Sequence, residues 1–168
     1  HDTKPDLIVE TGSACGGSAL FYTDIFKGKV ISINYYKAVT GQAAMKPEIT
    51  HPRIEFISGM STDKKIVARV KKEAKGKRVM VILDSDHTTK NVLAEMRLYG
   101  PLVTRGCYMI VEDTNLDTHP INHPEFKDNG PTKALGMFFK ENRDFEIDKG
   151  CEKFFVTHYP NGWLRRVR

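Results

Sequence analysis

Short apolar runs that are typical of buried strands alternate with segments of helical apolar spacing along most of the chain. Because this alternation is the pattern of βαβ units with right-handed crossovers, it predicts a mostly parallel sheet in an α/β domain. The segment from residue 36 to residue 50 fits neither pattern. The predicted strands cover residues 6–11, 29–35, 53–58, 78–84 and 106–113, and the predicted helices cover residues 18–27, 64–75, 89–98 and 132–141.

The pattern changes in the last part of the chain. A short strand is predicted over 144–148, and two further strand-like runs, 153–159 and 163–167, flank the sequence Pro160-Asn161-Gly162. Because Asn-Gly between two such runs is a strong hairpin signal, we expect an antiparallel hairpin there. The sheet is therefore predicted to gain antiparallel strands at one edge.

Length and composition favour one ordinary globular domain over residues 1–168. The chain has 40% apolar and 28% charged residues, and it contains no apolar run long enough to span a membrane. The three cysteines form no C-x-x-C pair, so we expect no disulfide framework or zinc site, and thiols fit a reducing compartment such as the cytoplasm. Since the sequence begins almost on a strand, we expect that a region preceding it is missing.

The formal net charge of +5 has two interpretations. Much of it lies in residues 71–78 and 165–168, which could form a patch for a polyanion such as nucleic acid. The same residues could form a solvated helix end and a basic tail. Because no aromatic side chains are interleaved as a stacking platform, the second interpretation is favoured and a nucleic-acid partner is not expected.

Two apolar runs end abruptly in acidic residues, and these segments indicate the chemistry. Asp84 and Asp86 follow the run that begins at Val79, with His87 directly after them, and Glu112 and Asp113 follow the run that begins at Tyr108. In an open α/β sheet the carboxyl ends of the strands line the ligand crevice. Carboxylate oxygens are the ligands that Mg²⁺ prefers, and a nearby imidazole can accept a proton. We therefore predict a Mg²⁺ site with His87 in the same pocket.

A glycine-containing turn connects the first strand to the first helix. Glu10 is followed by Gly12 and then by Gly16-Gly17, so the spacing differs from the G-x-G-x-x-G dinucleotide fingerprint. Glycine permits close approach of a ligand, the helix N-terminus favours an anionic group, and Glu10 suits an amine. A nucleotide cofactor with an amino-acid tail satisfies both requirements, although a purely structural strand–helix turn would have the same residues.

Two further features concern ligand contacts. Asn34 ends the second strand at the position where Rossmann-like folds usually carry an acid that holds the ribose hydroxyls. The long loop over 114–130 is typical of a lid or binding loop and contains His119 and His123. Because the loop prolines prevent a helix that would align the two imidazoles, plain loop polarity is favoured there over metal binding.

Seven segments, taken in order, carry a family resemblance. They are Lys4-Pro-Asp-Leu-Ile-Val-Glu-Thr-Gly-Ser, Gly16-Gly-Ser-Ala-Leu-Phe, Ile82-Leu-Asp-Ser-Asp-His87, Leu93-Ala-Glu-Met-Arg-Leu-Tyr99, Val111-Glu-Asp-Thr-Asn115, Glu152-Lys-Phe-Phe-Val-Thr and Asn161-Gly-Trp-Leu-Arg-Arg-Val. Together they resemble the cephalosporin hydroxylase family over nearly the whole chain. Members of that family look like class I S-adenosylmethionine-dependent methyltransferases and are similar to macrolide-sugar O-methyltransferases.

The resemblance implies a Rossmann-like class I methyltransferase fold, with a seven-stranded sheet, a reversed last strand and helices on both faces. It implies S-adenosylmethionine as cofactor and Mg²⁺ held by Asp84, Glu112 and Asp113. It also implies His87 as the catalytic base, with Asp86 in a secondary role. The cofactor-binding residues expected on this basis are Glu10, Gly12, Ser13, Gly16, Asn34, Ser61 and Asp84.

These expectations predict Mg²⁺-assisted methyl transfer to a hydroxyl of a small molecule, such as a sugar or a natural product. A non-catalytic nucleotide-binding module is the main alternative, and Asn34 favours it because relatives usually carry an acid at that position. The glycine spacing argues against a nicotinamide-dependent oxidoreductase. A nucleic-acid methyltransferase has only the positive charge in its favour. The sequence leaves the acceptor and the oligomeric state open, including a homo-oligomer.

Overall fold

The computed structural model describes residues 3–36, 47–118, 121, 123–154 and 157–168. Most of the unassigned segment 36–50 lies outside the described residues. The strands are β1 Leu7–Thr11, β2 Lys29–Asn34, β3 Ile54–Ser58, β4 Val79–Leu83, β5 Tyr108–Val111, β6 Phe145–Ile147 and β7 Trp163–Arg166. The α-helices are α1 Gly17–Ile25, α2 Lys64–Ala74, α3 Thr89–Tyr99 and α4 Pro131–Glu141, and short 3₁₀ helices cover Gly100–Leu102, Pro124–Phe126 and Lys149–Cys151.

The strands form one seven-stranded sheet in the order β3-β2-β1-β4-β5-β7-β6. β1 to β5 run parallel to one another, whereas β7 is antiparallel to both β5 and β6. The predicted mostly parallel sheet with a reversed last strand is therefore confirmed. The strand order reverses direction between β1 and β4, and α/β sheets bind ligands outside such a switch point, at the carboxyl ends of the strands.

Helices cover both faces of the sheet, as predicted. On one face, buried residues of α2, α3 and α4 pack with the sheet into the main core, which includes Val70, Met96 and Phe138. On the other face, Tyr22 of α1 packs with Phe26 against a smaller cluster centred on Ile8, Ile82 and Ile110. Among the described residues, no helix combines the length and the apolar character that crossing a bilayer requires.

The C-terminal antiparallel pair exists, but its first strand is not the one predicted. Leu164 of β7 lies between Met109 of β5 and Ile147 of β6, so both edges of β7 are already occupied. A strand over 153–159 could therefore not pair with β7; its described residues are not in a strand, and Phe155 and Val156 lie outside the described residues. The Asn-Gly turn is present, since Gly162 N donates to Tyr159 O at 2.9 Å, but it leads from an irregular segment into β7.

Gly12 allows β1 and β4 to meet at the switch point. It has a φ of +84°, and a Cβ built on it would lie 1.7 Å from the carbonyl oxygen of Asp84. Just beside it, Asp84 N donates to Thr11 O at 3.0 Å. Because the obstacle is backbone rather than a flexible side chain, no rotamer change can relieve it. Any larger residue at position 12 would separate the two strand ends.

Gly12→Ala is expected to lower the free energy of unfolding by about 1–3 kcal/mol, because it combines a positive φ with a steric clash against backbone. Gly136→Ala is the matched control, since no described atom lies within 4 Å of a Cβ built in the middle of α4. That change should raise the free energy of unfolding by about 0.5–1 kcal/mol. Urea denaturation measures both, and a neutral Gly12→Ala would show that the strand ends can separate without cost.

Candidate active site

A cavity of about 390 Å³ opens at the carboxyl ends of β1 to β4. Residues at the end of each of these strands, or directly after it, line the cavity, and α3 contributes one residue of its first turn. The cavity therefore lies at the topological switch point, where a ligand is expected in this class of fold. Its lining consists of Gly12, Ala14, Ile33, Asn34, Tyr35, Gly59, Met60, Ser61, Asp84, Ser85, Asp86 and Asn91.

Four of the seven predicted cofactor-binding residues line this cavity: Gly12, Asn34, Ser61 and Asp84. Gly59 N donates to Asn34 O at 2.9 Å, which holds the ends of β2 and β3 together. The side chain of Asn34 can then present an amide to the cavity from a fixed backbone. Contact between these four residues and a cofactor stays a prediction.

The other three predicted residues, Glu10, Ser13 and Gly16, are not in the cavity lining. Glu10 is 1% exposed and accepts a hydrogen bond from Ser32 Oγ at 2.5 Å. Burial raises the pKa of Glu10, and the smaller effects of Ser18 and Ser32 lower it. Contact between Glu10 and a cofactor stays a prediction.

Ser13 and Gly16 shape the turn after β1. The hydroxyl oxygens of Ser13 and Tyr36 lie 2.5 Å apart, which ties the turn to the segment after β2. Gly16 precedes α1 with a φ of +85°, and a Cβ there would lie 2.8 Å from Cζ of Phe56. Both residues therefore fix the turn by packing, and the positive φ explains why glycine occurs at position 16.

A carboxylate–imidazole cluster lies beside the cavity. Asp84, His87 and Asp113 each offer one ligand atom, and these atoms all lie within 4.8 Å of one another. His87 Nε2 is 3.4 Å from Asp113 Oδ2 and 3.9 Å from Asp84 Oδ1. The three residues follow β4 and β5, so adjacent strand ends bring them together, as the two acidic segments predicted.

Glu112 and Asp86 lie at the edges of this cluster. Glu112 is not one of its three members, but its charge raises the pKa of Asp84, so it is an electrostatic neighbour. Asp86 is exposed, and its Oδ1 accepts from Thr88 N at 2.9 Å in the loop before α3. Asp86 thus has a local structural contact, whereas the metal-ligand role of Glu112 stays a prediction.

The electrostatics of the cluster favour a cation. Burial, and then the charges of Glu112 and Asp113, raise the pKa of Asp84 to about 8. Burial, and then the charges of Asp113 and Glu10, raise the pKa of Glu112 to about 7. Carboxylates that repel one another in a partly dehydrated site are stabilised in their charged form by a divalent ion. The donor set of at least two carboxylates therefore fits Mg²⁺.

The loop after β5 contributes an aromatic contact to the cluster. The ring of Phe126 meets the imidazole of His87 edge to face, with 6.1 Å between the ring centroids. His123 packs against Phe126, with 5.6 Å between the ring centroids, and belongs to no metal-ligating group among the described residues. His119 lies outside the described residues. The loop thus restrains His87 through Phe126.

Several residues of the site were not predicted. Ser85 and Asn91 line the cavity, and Glu95 is buried behind them in α3. A small polar residue after a strand and a polar residue in the first turn of a helix are common without any ligand. The only available signal was their place in the resembling segments, which include Ser85 and Glu95.

Mg²⁺ is expected to stabilise the protein more at high pH than at low pH. Asp84 and Glu112 have raised pKa values, so between about pH 4 and pH 8 the folded protein binds protons that the unfolded chain has lost. The free energy of unfolding of the metal-free protein therefore falls as the pH rises through that window. Since the ion binds only deprotonated carboxylates, its stabilising effect grows over the same window.

Thermal unfolding with and without Mg²⁺ at about pH 6 and about pH 9 measures this effect. Asp84→Asn should abolish the difference. Glu141→Gln is the control, because that carboxylate is exposed and paired with Arg97 at 2.6 Å, away from the strand ends. An Mg²⁺ shift in midpoint that is equal at both pH values would contradict the assignment of the site.

Comparison with known proteins identifies relatives at the level of sequence. A family model described as Rhamnosyl O-methyltransferase/CmcI matches residues 1–167. A Rhamnosyl O-methyltransferase of Mycobacterium leprae (strain TN) is 40% identical over 175 residues, which cover 98% of this chain and 73% of that protein. The Rhamnosyl O-methyltransferase of Mycobacterium bovis (strain BCG / Pasteur 1173P2) is 37% identical over 176 residues, with 98% and 69% covered.

Solved structures share the fold. MycE methyltransferase in complex with Mg, SAH and mycinamycin VI superposes with a TM-score of 0.68 at 16% identity, covering 99% of this chain and 47% of that one. A structure of CmcI with Mg and SAM has a TM-score of 0.62 at 21% identity, covering 99% of this chain and 67% of that one. Such a likeness establishes the class I methyltransferase fold. Taken with the sequence match, it shows that this chain belongs to the Rhamnosyl O-methyltransferase/CmcI family, as the resemblance predicted.

Proposed function

We propose that this chain is a Mg²⁺-assisted, S-adenosylmethionine-dependent O-methyltransferase that acts on a hydroxyl of a sugar or of a sugar-bearing natural product. One observation carries the proposal: Asp84 both lines the cavity at the switch point and belongs to the cluster with His87 and Asp113. A methyl donor in the cavity and a hydroxyl at the cluster would therefore meet at a single residue.

The cavity suits a nucleoside with an amino-acid tail. Gly12 leaves backbone accessible, Asn34 and Ser61 offer hydrogen-bonding side chains, and Ile33 and Met60 provide apolar surface for a base. Mixed linings of this kind, with a few placed polar groups, are usual for cofactor sites. The structural relatives MycE and CmcI were solved with Mg and with SAH or SAM, which supports the same two groups for this chain.

Asp84, Asp113 and the neighbouring Glu112 would hold the Mg²⁺, because this ion prefers oxygen ligands. When bound, the ion lowers the pKa of an acceptor hydroxyl. Because Mg²⁺ prefers oxygen ligands, the imidazole of His87 stays available for proton transfer. The predicted division of roles, carboxylates for the metal and His87 for the proton, is consistent with the arrangement.

His87 is positioned to act as the general base. Its Nε2 lies 3.4 Å from Asp113 Oδ2, so a hydroxyl drawn into the cluster would be within reach of the imidazole. The ring of Phe126 packs edge to face on the imidazole and restricts its orientation. The remaining contribution is alignment of the attacking oxygen with the methyl group, which can lower the barrier by about 7–11 kcal/mol.

The substrate class follows from the relatives. The mycobacterial proteins with 37–40% identity are Rhamnosyl O-methyltransferases, so we propose a deoxyhexose hydroxyl as the acceptor. We also propose a cytoplasmic location, since free thiols at Cys107 and Cys151 fit a reducing compartment.

The proposal is tested by incubating the protein with S-adenosylmethionine, Mg²⁺ and a set of rhamnosides, with glucosides and catechol as comparison acceptors. S-adenosylhomocysteine should form with rhamnosides and should stop forming when EDTA removes the ion. Binding of S-adenosylmethionine without turnover of any acceptor would instead favour a non-catalytic binding module.

His87→Ala should lower kcat by about 10²–10⁴-fold while leaving S-adenosylhomocysteine affinity within about threefold, because the imidazole acts on the acceptor rather than on the cofactor. His123→Ala is the matched control, because the His123 ring also packs against Phe126 but is not a member of the cluster. It should retain most of the turnover. If both variants lost activity equally, loop packing rather than proton transfer would explain the effect of His87.

Asn34→Asp should tighten S-adenosylhomocysteine binding by about fivefold at pH 8, since hydrogen bonds to a charged group are worth about 1 kcal/mol more than neutral ones. The substitution is nearly isosteric and the side chain is at the cavity wall. Isothermal titration calorimetry measures the change. An unchanged or weaker affinity would mean that Asn34 does not contact the ribose hydroxyls.

A further inference from the structure

Glu95 is an acid with no exposed surface at all in the middle of α3. Charged side chains are almost never fully buried unless they are partnered, because dehydration of the charge is costly. None of the ion pairs among the described residues includes Glu95. One oxygen of its carboxyl group, Oε1, accepts a hydrogen bond from a neutral hydroxyl, whereas Oε2 is buried and has no hydrogen-bond partner among the described residues.

The first partner of Glu95 is the residue that follows Asp84. Ser85 Oγ donates to Glu95 Oε1 at 2.7 Å. Asn91 Nδ2 in turn lies 3.0 Å from Ser85 Oγ and 3.0 Å from the carbonyl oxygen of Asp86, to both of which it donates. Because the single hydroxyl proton of Ser85 is directed to Glu95, its lone pairs are oriented toward Asn91. Glu95 therefore fixes the loop of Asp84–Asp86.

Glu95 also has neighbours from the strands beside β4. Burial raises the pKa of Glu95, and the nearby side chains of Ser61 and Thr11 lower it to a smaller extent. Ser61 lines the cavity, and Thr11 is the last residue of β1. One helical turn further along α3, Tyr99 Oη donates to Ser61 O at 2.5 Å. Through Glu95 and Tyr99, the same face of α3 thus contacts the loops that follow β4 and β3.

We propose that Glu95 is a positioning residue for the cofactor: it holds the loop after β4 against α3 and acts on the ligand through Ser85 and Asn91. Glu95 itself is not in the cavity lining, so its effect is indirect. The assignment rests on the proposed function, because the cavity is taken as the cofactor site. Outer residues that orient ligand-binding groups typically change affinity or activity by about 10–100-fold when they are removed.

The test compares Glu95→Ala, Glu95→Gln and Ser85→Ala in the full chain by calorimetry with S-adenosylhomocysteine and by thermal unfolding. Glu95→Ala and Ser85→Ala should each weaken binding by about 10–100-fold. Glu95→Gln keeps an oxygen that accepts from Ser85, so it should bind within about threefold of wild type. The double variant Glu95→Ala/Ser85→Ala should bind S-adenosylhomocysteine no more weakly than the weaker-binding of its two single variants. Both substitutions remove the same hydrogen bond between Ser85 and Glu95.

Thr104→Val is the control for stability alone. Thr104 Oγ1 accepts from Val79 N at 2.9 Å and donates to Lys77 O at 3.3 Å at the opposite end of β4 from the cavity. This variant should lower the unfolding midpoint and leave the affinity unchanged. If Glu95→Ala fails to fold, the comparison of Ser85→Ala with Glu95→Gln still decides the question, since only the first should lose affinity.

The outcomes separate the two proposals. If Ser85→Ala binds S-adenosylhomocysteine with full affinity, Glu95 has only a structural role. The same conclusion follows if Glu95→Ala has full affinity and only a lower unfolding midpoint. Both results would leave the proposed function intact. Equal losses of affinity in Glu95→Gln and Glu95→Ala would overturn the hydrogen-bonding role. No binding of S-adenosylhomocysteine by the wild-type protein would overturn the proposed function and this assignment with it.

Discussion

The close approach of β1 and β4 at their carboxyl ends is the constraint on which the site depends. Asp84 N donates to Thr11 O, and Gly12 leaves no space between itself and the Asp84 carbonyl for even one additional carbon atom. This contact brings the turn after β1 and the acidic loop after β4 side by side. The cavity on one side of Asp84 and the cluster with His87 on the other therefore have a fixed spacing. A methyl transferase requires such a fixed spacing, because the reaction needs the donor carbon and the acceptor oxygen in line.

A second constraint is the concentration of acidic groups around this contact. The charges of Glu10, Glu95, Glu112 and Asp113 all raise the pKa of Asp84, in addition to the larger effect of its burial. None of the described residues that line the cavity is cationic, so the lining does not offset this repulsion. The two proposed ligands do, because Mg²⁺ and the sulfonium of S-adenosylmethionine both bring positive charge to the site. The acidic site thus favours cationic ligands before any specific contact is made.

Much of this arrangement could be predicted from sequence because it follows from local patterns. Apolar runs that end in acids predict buried strands, and parallel strands place their ends at one edge, so Asp84, His87 and Asp113 were expected together. The C-terminal hairpin was assigned to the wrong segment because edge occupancy is a property of the whole sheet. The local sequence does not show that β6 pairs with the edge of β7 that faces away from β5. The cavity lining is also hard to predict from sequence, because Glu10 and Gly16, which were predicted to bind the cofactor, lie outside it; their contact with a cofactor stays a prediction.

Helix α3 connects the two halves of the proposed chemistry. It begins directly after the loop that carries His87, with Thr88 as its N-terminal cap, and its buried face carries Glu95 and Tyr99 one turn apart. The first turn therefore sets the position of His87, the proposed base, and the later turns set the cavity walls. Because a helix transmits a tilt along its whole length, a change of packing beneath α3 would move the base and the cofactor pocket together. Selection on cofactor binding and selection on proton transfer would then act on the same helix, and its buried polar residues are more costly to replace than their distance from the reacting atoms suggests.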